Sequence, residues 1–329
     1  MKFNSRWRRR FAMLAWLWRT ARREELLMML PTESVFPDFI TAFVAEGDDA
    51  RFAELETELP AASVEVVRHF RERLHRGRRL LEWKAEGMFH RSMLAGAPDE
   101  AEIEYLSRWR QEAPERASQP GAEMSVEYFH HGLRFAPESV RRYIAGKVFV
   151  DAGAYHGESA FVLAGYDPAR ILAFELSPSN AAVLSRNLKR AGKDAAMITP
   201  FVCGLGSSER EMRIFDDGTE STRVDRGGDT PVRITTLDQV MREYREPLGF
   251  VKADVEGAAL DMLRGMTEVL RRDRPVLTLY VYHSPEEFFG CFEYLRQPGF
   301  NYHLEFQHHD AAVNIGEIAL VAVPAEVMP

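Results

Sequence analysis

Val148-Phe149-Val150-Asp151-Ala152-Gly153-Ala154-Tyr155-His156-Gly157 is the stretch that decides how this chain folds. A short β-branched apolar run ends in an acid, and two glycines follow with three residues between them. The pattern predicts a buried strand turning sharply into a helix, with bare backbone where a ligand can approach closely. Eighteen residues past Gly157 a second apolar run, Ile171-Leu172-Ala173-Phe174, ends in Glu175. An acid there, one strand along in a βαβ unit, is placed to accept hydrogen bonds from ribose hydroxyls. Glycine turns also close tight connections that bind nothing, and it is the pairing with Glu175 that predicts a nucleoside site.

The pattern is not the dinucleotide fingerprint. Asp151 stands where the first glycine of G-x-G-x-x-G belongs, and the third glycine is missing. A pyrophosphate needs a helix N-terminus free of negative charge. Asp151 and Glu158 beside the turn favour a cationic ligand instead. S-adenosyl-L-methionine, with its sulfonium and ammonium groups, fits that electrostatic requirement better than NAD.

Composition sets the outer bounds. A hydrophobic fraction of 46% and a charged fraction of 28% are those of a soluble globular protein. Cys203 and Cys291 lie far apart and form no metal-ligand spacing, so a reducing, cytoplasmic setting is expected. The net charge of −8 is uneven: Lys2, Arg6, Arg8, Arg9, Arg10, Arg19, Arg22 and Arg23 precede any acid, leaving −16 on the rest, −8 less those eight. An acidic main body argues against nucleic acid as a partner, since phosphate neutralisation needs a basic face. The basic opening flanks Phe11 to Trp18, a run too short to span a bilayer and without a signal-peptide cleavage site. Two readings stay open for residues 1–23: a peripheral membrane contact, or a helix docking its aromatic stripe on its own protein or on a second subunit of an oligomer.

Residues 1–118 read as a helical region serving as cap, anchor or oligomerisation surface. Its longest helical run is Val64 to Met93, with apolar residues at Val64, Val67, Phe70 and Leu74; Ala101 to Glu112 is another. Arg68, Arg71, Arg73, Arg76, Arg78 and Arg79 read as a solvated helix face. Ala113 to Gly121 has the composition of a linker. In residues 119–329 strands and helices alternate from Tyr128 on, the signature of a parallel sheet covered on both faces. Strands are expected at Val148–Asp151, Ile171–Glu175, Met197–Cys203, Phe250–Asp254 and Pro275–His283. A hairpin is expected near Met212–Phe215 and Val232–Thr235, and a closing antiparallel pair at Tyr302–Phe306 and Ile318–Val323.

Val150-Asp151-Ala152-Gly153-Ala154, Phe174-Glu175, Thr236-Leu237-Asp238 and Val251-Lys252-Ala253-Asp254-Val255-Glu256-Gly257-Ala258 together resemble the FkbM family of S-adenosylmethionine-dependent methyltransferases. The likeness runs on through Leu263-Arg264-Gly265 and Tyr282-His283-Ser284-Pro285-Glu286-Glu287-Phe288-Phe289 and covers roughly residues 128 to 325. It implies an α/β class I methyltransferase fold, Rossmann-like, with a seven-stranded, mostly parallel sheet and an antiparallel seventh strand. It also implies O-methylation of a hydroxyl on a sugar, glycan or polyketide-type natural product. Members often have Asn where this chain has Tyr155, and Pro where it has Leu176.

Asp151, Glu175, Asp254 and His283 each fall at a strand's carboxyl end, where ligands of open α/β sheets bind. The expected cofactor contacts are Asp151, Gly153, Ala154, Tyr155, Gly157, Glu175, Leu176, Gly204 and Leu205, with Cys203-Gly204-Leu205 along the adenine. A sugar hydroxyl needs to lose its proton, and His283 or Asp254 is the expected base, worth about 10²–10⁴-fold. Asp254, Glu256 and His283 could instead ligate a divalent cation, although spacing does not establish one and no metal is expected from it. Glu256 has a second reading as a cap on the next helix. In His308-His309-Asp310 neighbouring side chains point to opposite faces, which speaks against a shared metal and for a surface loop or a substrate contact. Phe129-His130-His131 is expected to pack on the sheet. Two competitors remain: a methyltransferase-like module that binds without catalysis, and a nicotinamide-dependent dehydrogenase, which the broken fingerprint disfavours.

Overall fold

The structure, a computed structural model, describes residues 41–43, 48–82, 129–216, 218, 228–309 and 316–328. The expected helix at Ala101–Glu112, the linker and the basic opening lie outside these residues. Residues 129–309 and 317–328 fall in one compact unit, and residues 48–82 in another.

In the smaller unit, α1 (Asp48–Glu56) and α2 (Ala61–Glu82) pack through the face the apolar spacing predicts. Val67, Phe70 and Leu74 are buried, and Phe70 meets Phe43 edge-on at 5.2 Å. The arginine run is not uniformly solvated. Arg73 is buried, while Arg68 and Arg71 reach acids of α1, Glu56 and Asp49, each at 2.8 Å. Charge spacing along one helix does not reveal that a second helix supplies the counter-charges.

The larger unit is built on a seven-stranded sheet. Its strands are β1 (Val148–Ala152), β2 (Arg170–Glu175), β3 (Ile198–Val202), β7 (Leu248–Ala253), β8 (Val276–Tyr280), β9 (Tyr302–His308) and β10 (Ile318–Pro324). The order is β3-β2-β1-β7-β8-β10-β9. The first five are parallel neighbours, and β10 runs antiparallel between β8 and β9. This is the seven-stranded, Rossmann-like arrangement with a reversed last strand. Every residue of β1, β7, β8 and β10 is buried, which explains why these strands read as unbroken apolar runs rather than alternating ones. Phe149 and Phe250, side by side on β1 and β7, meet edge-on at 5.6 Å in the core.

Helices α3 (Glu138–Ile144), α4 (Glu158–Leu163), α5 (Pro178–Ala191), α6 (Leu237–Val240), α7 (Ala259–Arg264), α8 (Thr267–Arg272) and α9 (Pro285–Leu295) complete the unit. The expected hairpin exists as β5 (Arg210–Ile214) against β6 (Thr230–Thr235). It belongs, however, to a separate three-stranded sheet with the two-residue β4 (Gly204–Leu205). Two motifs of the family likeness prove to be architectural. The Asp238 carboxylate accepts the Glu268 and Val269 N–H groups at the start of α8, and Asp238 itself donates to the Gly265 carbonyl. A side chain at Gly265 would lie 1.9 Å from the Gly206 carbonyl oxygen. Among the described residues no helix is long and apolar enough to cross a membrane.

Candidate functional site

The chain leaves β1 outward to β2 and β3, then returns to place β7 on β1's other flank. The crevice beyond the carboxyl ends of β1 and β7 is therefore the switch point where open α/β sheets bind ligands. The two loops there touch through backbone alone. Gly153 has φ +76°, and a Cβ on it would lie 1.8 Å from the Asp254 carbonyl oxygen, so only glycine fits. Asp254 in turn donates its N–H to the Ala152 carbonyl at 3.0 Å.

The amides of the glycine turn are already engaged. Gly153 and Ala154 both donate to the Phe174 carbonyl, Gly157 donates to Ala154, and Tyr155 donates to Glu175 Oε2 at 2.8 Å. These four N–H groups make no cradle for a phosphate. Glu175 is fixed at both oxygens, with Oε1 accepting the Ser177 N–H at 2.8 Å. Burial raises its pKa, outweighing the two backbone donors, and the carboxylate stands at the end of β2 with a lone pair left on each oxygen. Tyr155 has φ +45° and stacks on His156 at 3.6 Å. Asn tolerates that left-handed conformation better than a bulky residue does, which gives a physical reason for the Asn often found there.

The other expected cofactor residues are held in different ways. Leu176 lies against Gly204, where a Cβ would come within 3.1 Å of its Cδ1, so the end of β2 meets the start of β4. Leu205 is buried in the small sheet, and Gly157, with φ +103°, packs on Leu184. Asp151 is wholly buried. Its Oδ2 accepts from Ser159 Oγ at 2.6 Å, and its Oδ1 lies 3.3 Å from Lys252 Nζ. Lys252 also donates to the Gly153 carbonyl at 2.6 Å, so the pair holds the glycine turn from beneath. Burial pulls the Lys252 ammonium down, but Asp151 and Asp254 outweigh it and hold the pKa raised.

Beyond β7 and β8 a second group forms. His283 Nε2 lies 3.4 Å from Asp254 Oδ1 and 3.7 Å from Glu256 Oε1, and its Nδ1 is 2.9 Å from Glu287 Oε2. The His283 side chain is 10% exposed and that of Asp254 30%. Burial would lower the His283 pKa, yet Asp254 and Glu287 raise it well above the usual histidine value. Asp254 is lowered: burial pushes it up, and His283 and Lys252 overcome that. Those carboxylates favour the charged imidazole, which works against the expectation that His283 acts as a free base.

Glu287 was not singled out from the sequence. Ser284 caps α9 by accepting the Glu287 N–H at 3.1 Å, the S-x-x-E signature of a helix start. The Glu287 carboxylate, 1% exposed, goes to His283 and to the Ala259 N–H at 2.9 Å. It thus fills the capping place at α7 for which Glu256 was considered. Also missed were Lys252, a lone cation inside a buried strand, and Asp216, which anchors Ser177 and Ser179 beside Glu175.

The histidine pairs go elsewhere. His309, expected in a surface loop or at the substrate, is buried against Phe129 and bonded to Tyr280 and Gln307; burial lowers its pKa to about 3. Asp310 lies outside the described residues. His131 is buried over β8, with Thr278 donating to its carbonyl and Tyr280 meeting its Nδ1 at 3.0 Å.

Residues 151–311 match the model of the methyltransferase FkbM domain. That match spans a little under half of the chain. The domain is similar to the methyltransferase sdnD of Sordaria araneosa, 32% identical over 36% of this chain and 60% of that protein. The chain thus spans less than two thirds of that relative's length. Among solved structures, methyltransferase FkbM from Methylobacillus flagellatus aligns with 79% of this chain and 60% of its own at 19% identity and a TM-score of 0.48. The O-methyltransferase TomG of Streptomyces achromogenes, solved in complex with S-adenosylmethionine, aligns with 69% of this chain and 90% of its own at 15% identity and a TM-score of 0.38.

Proposed function

We propose that the chain is a methyltransferase of the FkbM family and transfers a methyl group from S-adenosyl-L-methionine to a hydroxyl of a small molecule, a glycan or a natural product. The observation that carries the reading is Glu175, fixed by two backbone N–H groups at the end of β2, next to a glycine turn whose amides are spent internally. Such a site offers acceptors for ribose hydroxyls and nothing for a pyrophosphate, which separates it from nicotinamide binding. The surrounding carboxylates, Glu175, Asp254 and Glu256, complement a cationic ligand.

Bound there, the sulfonium supplies an activated methyl group. This chain's residues then hold the acceptor in line and manage its proton. Alignment of nucleophile and methyl can contribute about 7–11 kcal/mol in favourable cases. Asp254 and His283, at the ends of β7 and β8, are the catalytic candidates at the acceptor hydroxyl. Gly153, Ala154, Tyr155, Gly157, Leu176, Gly204 and Leu205 shape the cofactor's side of the crevice, with Asp151 acting through Lys252. Residues 119–329 would be the transferase domain and residues 1–118 an appended helical region; a role for residues 1–23 at a membrane or a second subunit belongs to the same proposal.

Calorimetry with S-adenosylmethionine, S-adenosylhomocysteine and NAD tests the reading. Saturable binding of the first two and none of NAD is expected. Glu175→Ala should weaken S-adenosylhomocysteine about 10–100-fold, the worth of charge-assisted hydrogen bonds. Preference for NAD, or unchanged affinity in the variant, would remove the assignment.

A further inference from the structure

We infer that Asp254, Glu256 and His283 bind a divalent cation of the Mg²⁺ or Mn²⁺ class. The inference deepens the methyl-transfer reading and rests on it for its purpose, though not for its geometry.

One ligand atom from each of the three residues lies within 4.8 Å of the other two. Acidic clusters are common without an ion, so the decisive observation is the state of the atoms at the centre. His283 Nε2 and Asp254 Oδ1 are both inaccessible to solvent, and neither makes a hydrogen bond. Their separation of 3.4 Å exceeds the 2.7–3.2 Å of an ordinary N–H···O bond. The ring nitrogen therefore points between two carboxylates without meeting either one, on a side chain that is nine-tenths buried. Orphaned buried polar atoms are costly, and here two of them face the same point.

A cation at that point satisfies both. With metal–ligand bonds of about 2.1 Å, adjacent ligands of an octahedral ion lie about 3.0 Å apart and opposite ones about 4.2 Å. The observed 3.4 and 3.7 Å fall between those limits, so a small contraction closes the site. Glu287 supplies what a metal-binding histidine commonly has. It accepts from Nδ1 at 2.9 Å, which turns Nε2 toward the cluster, where the ion replaces the proton on that nitrogen. Glu287 is itself held by the Ala259 N–H, so ring and carboxylate are both oriented before any ion arrives. Two carboxylates with one imidazole suit Mn²⁺ and Mg²⁺, whereas a thiolate-free site with this much oxygen is less suited to softer ions.

Three protein ligands leave positions open for the acceptor. A hydroxyl coordinated there loses its proton to water more readily, because the cation lowers its pKa. The oxygen lone pair then forms the new C–O bond as the C–S bond breaks and its electron pair returns to sulfur. The products are a methyl ether, a neutral thioether and one released proton.

Mn²⁺ itself is the probe. Chelator-treated full-length protein is titrated with Mn²⁺ while the electron paramagnetic resonance signal of the free aquo ion is followed. One site per chain is expected, competed by Mg²⁺. Asp254→Asn and His283→Ala should lose it, Glu287→Gln should weaken it about 10–100-fold, and the remote Glu246→Gln should keep it. Circular dichroism confirms that each variant is folded, and Glu256→Gln provides a further ligand test should one fail to fold. Absence of Mn²⁺ binding, or equal binding by Asp254→Asn, overturns the inference. Binding of S-adenosylhomocysteine to the same preparation separates the failures: cofactor without Mn²⁺ sinks the metal alone, and Mn²⁺ without cofactor sinks the methyl-transfer reading.

Discussion

Asp151 and Asp254 end neighbouring strands of one sheet, and their surroundings could hardly differ more. Asp151 is sealed, paired with Lys252 and bonded to Ser159, and it supports the glycine turn. Each aspartate has a buried Oδ1 outside hydrogen-bond geometry, but that of Asp151 faces the Lys252 ammonium at 3.3 Å, whereas that of Asp254 faces His283 on a side chain 30% exposed. The difference teaches that a carboxylate at a strand end is not by position alone a functional group. On the proposed reading, the one sealed against a buried ammonium belongs to the architecture, and the partly exposed one facing a histidine belongs to the chemistry.

The two should therefore fail in opposite ways. In Asp254→Asn, labelled-methyl transfer is expected to fall about 10²–10⁴-fold while the chain stays folded, since the loss is that of a group that takes the acceptor's proton or holds the cation that acidifies it. Full turnover in that variant would dissolve the contrast. Lys252→Met should do the reverse. It strands the Asp151 charge in the interior, at a cost of about 3–5 kcal/mol in unfolding free energy measured by denaturant titration. Adding Asp151→Asn should recover part of that loss, because the uncompensated charge is then gone. An undiminished midpoint in Lys252→Met would mean that the buried pair does not hold the turn.

The same contrast marks what the sequence made legible. Strands buried on both faces announce themselves as continuous apolar runs, and β1, β2, β7 and β8 were readable to within a few residues. Two-residue β4 has no periodicity to read, so its sheet with β5 and β6 looked like a lone hairpin. Asp151, Glu175, Asp254 and His283 were recognisable as strand-end residues. Their division of labour was not, because it depends on partners distant in sequence: Lys252 lies 101 positions from Asp151, and Ala259 lies 28 from Glu287. Ser284 and Glu287 have the spacing of a helix start, but nothing local says that the Glu287 carboxylate turns toward His283. Burial of Arg73 and His309 was hidden for the same reason, since polar residues reveal their packing only when the neighbouring elements are in place.

The smallest expected effect concerns the turn that Asp151 supports. Tyr155 holds φ +45°, a conformation that costs most non-glycine residues about a kcal/mol and that Asn adopts more readily. Tyr155→Asn should raise the thermal midpoint modestly, by an amount corresponding to less than about 1 kcal/mol, because the backbone is relaxed while the N–H to Glu175 is retained. The tyrosine ring stacked on His156 is lost in exchange, which offsets part of that gain. Cofactor affinity discriminates between the two contributions. If the turn is held by Lys252 and Asp151 from below, S-adenosylhomocysteine should bind the variant within about threefold of the parent. A larger loss would show that the ring itself edges the cofactor, moving Tyr155 from the supporting side of the comparison to the binding side.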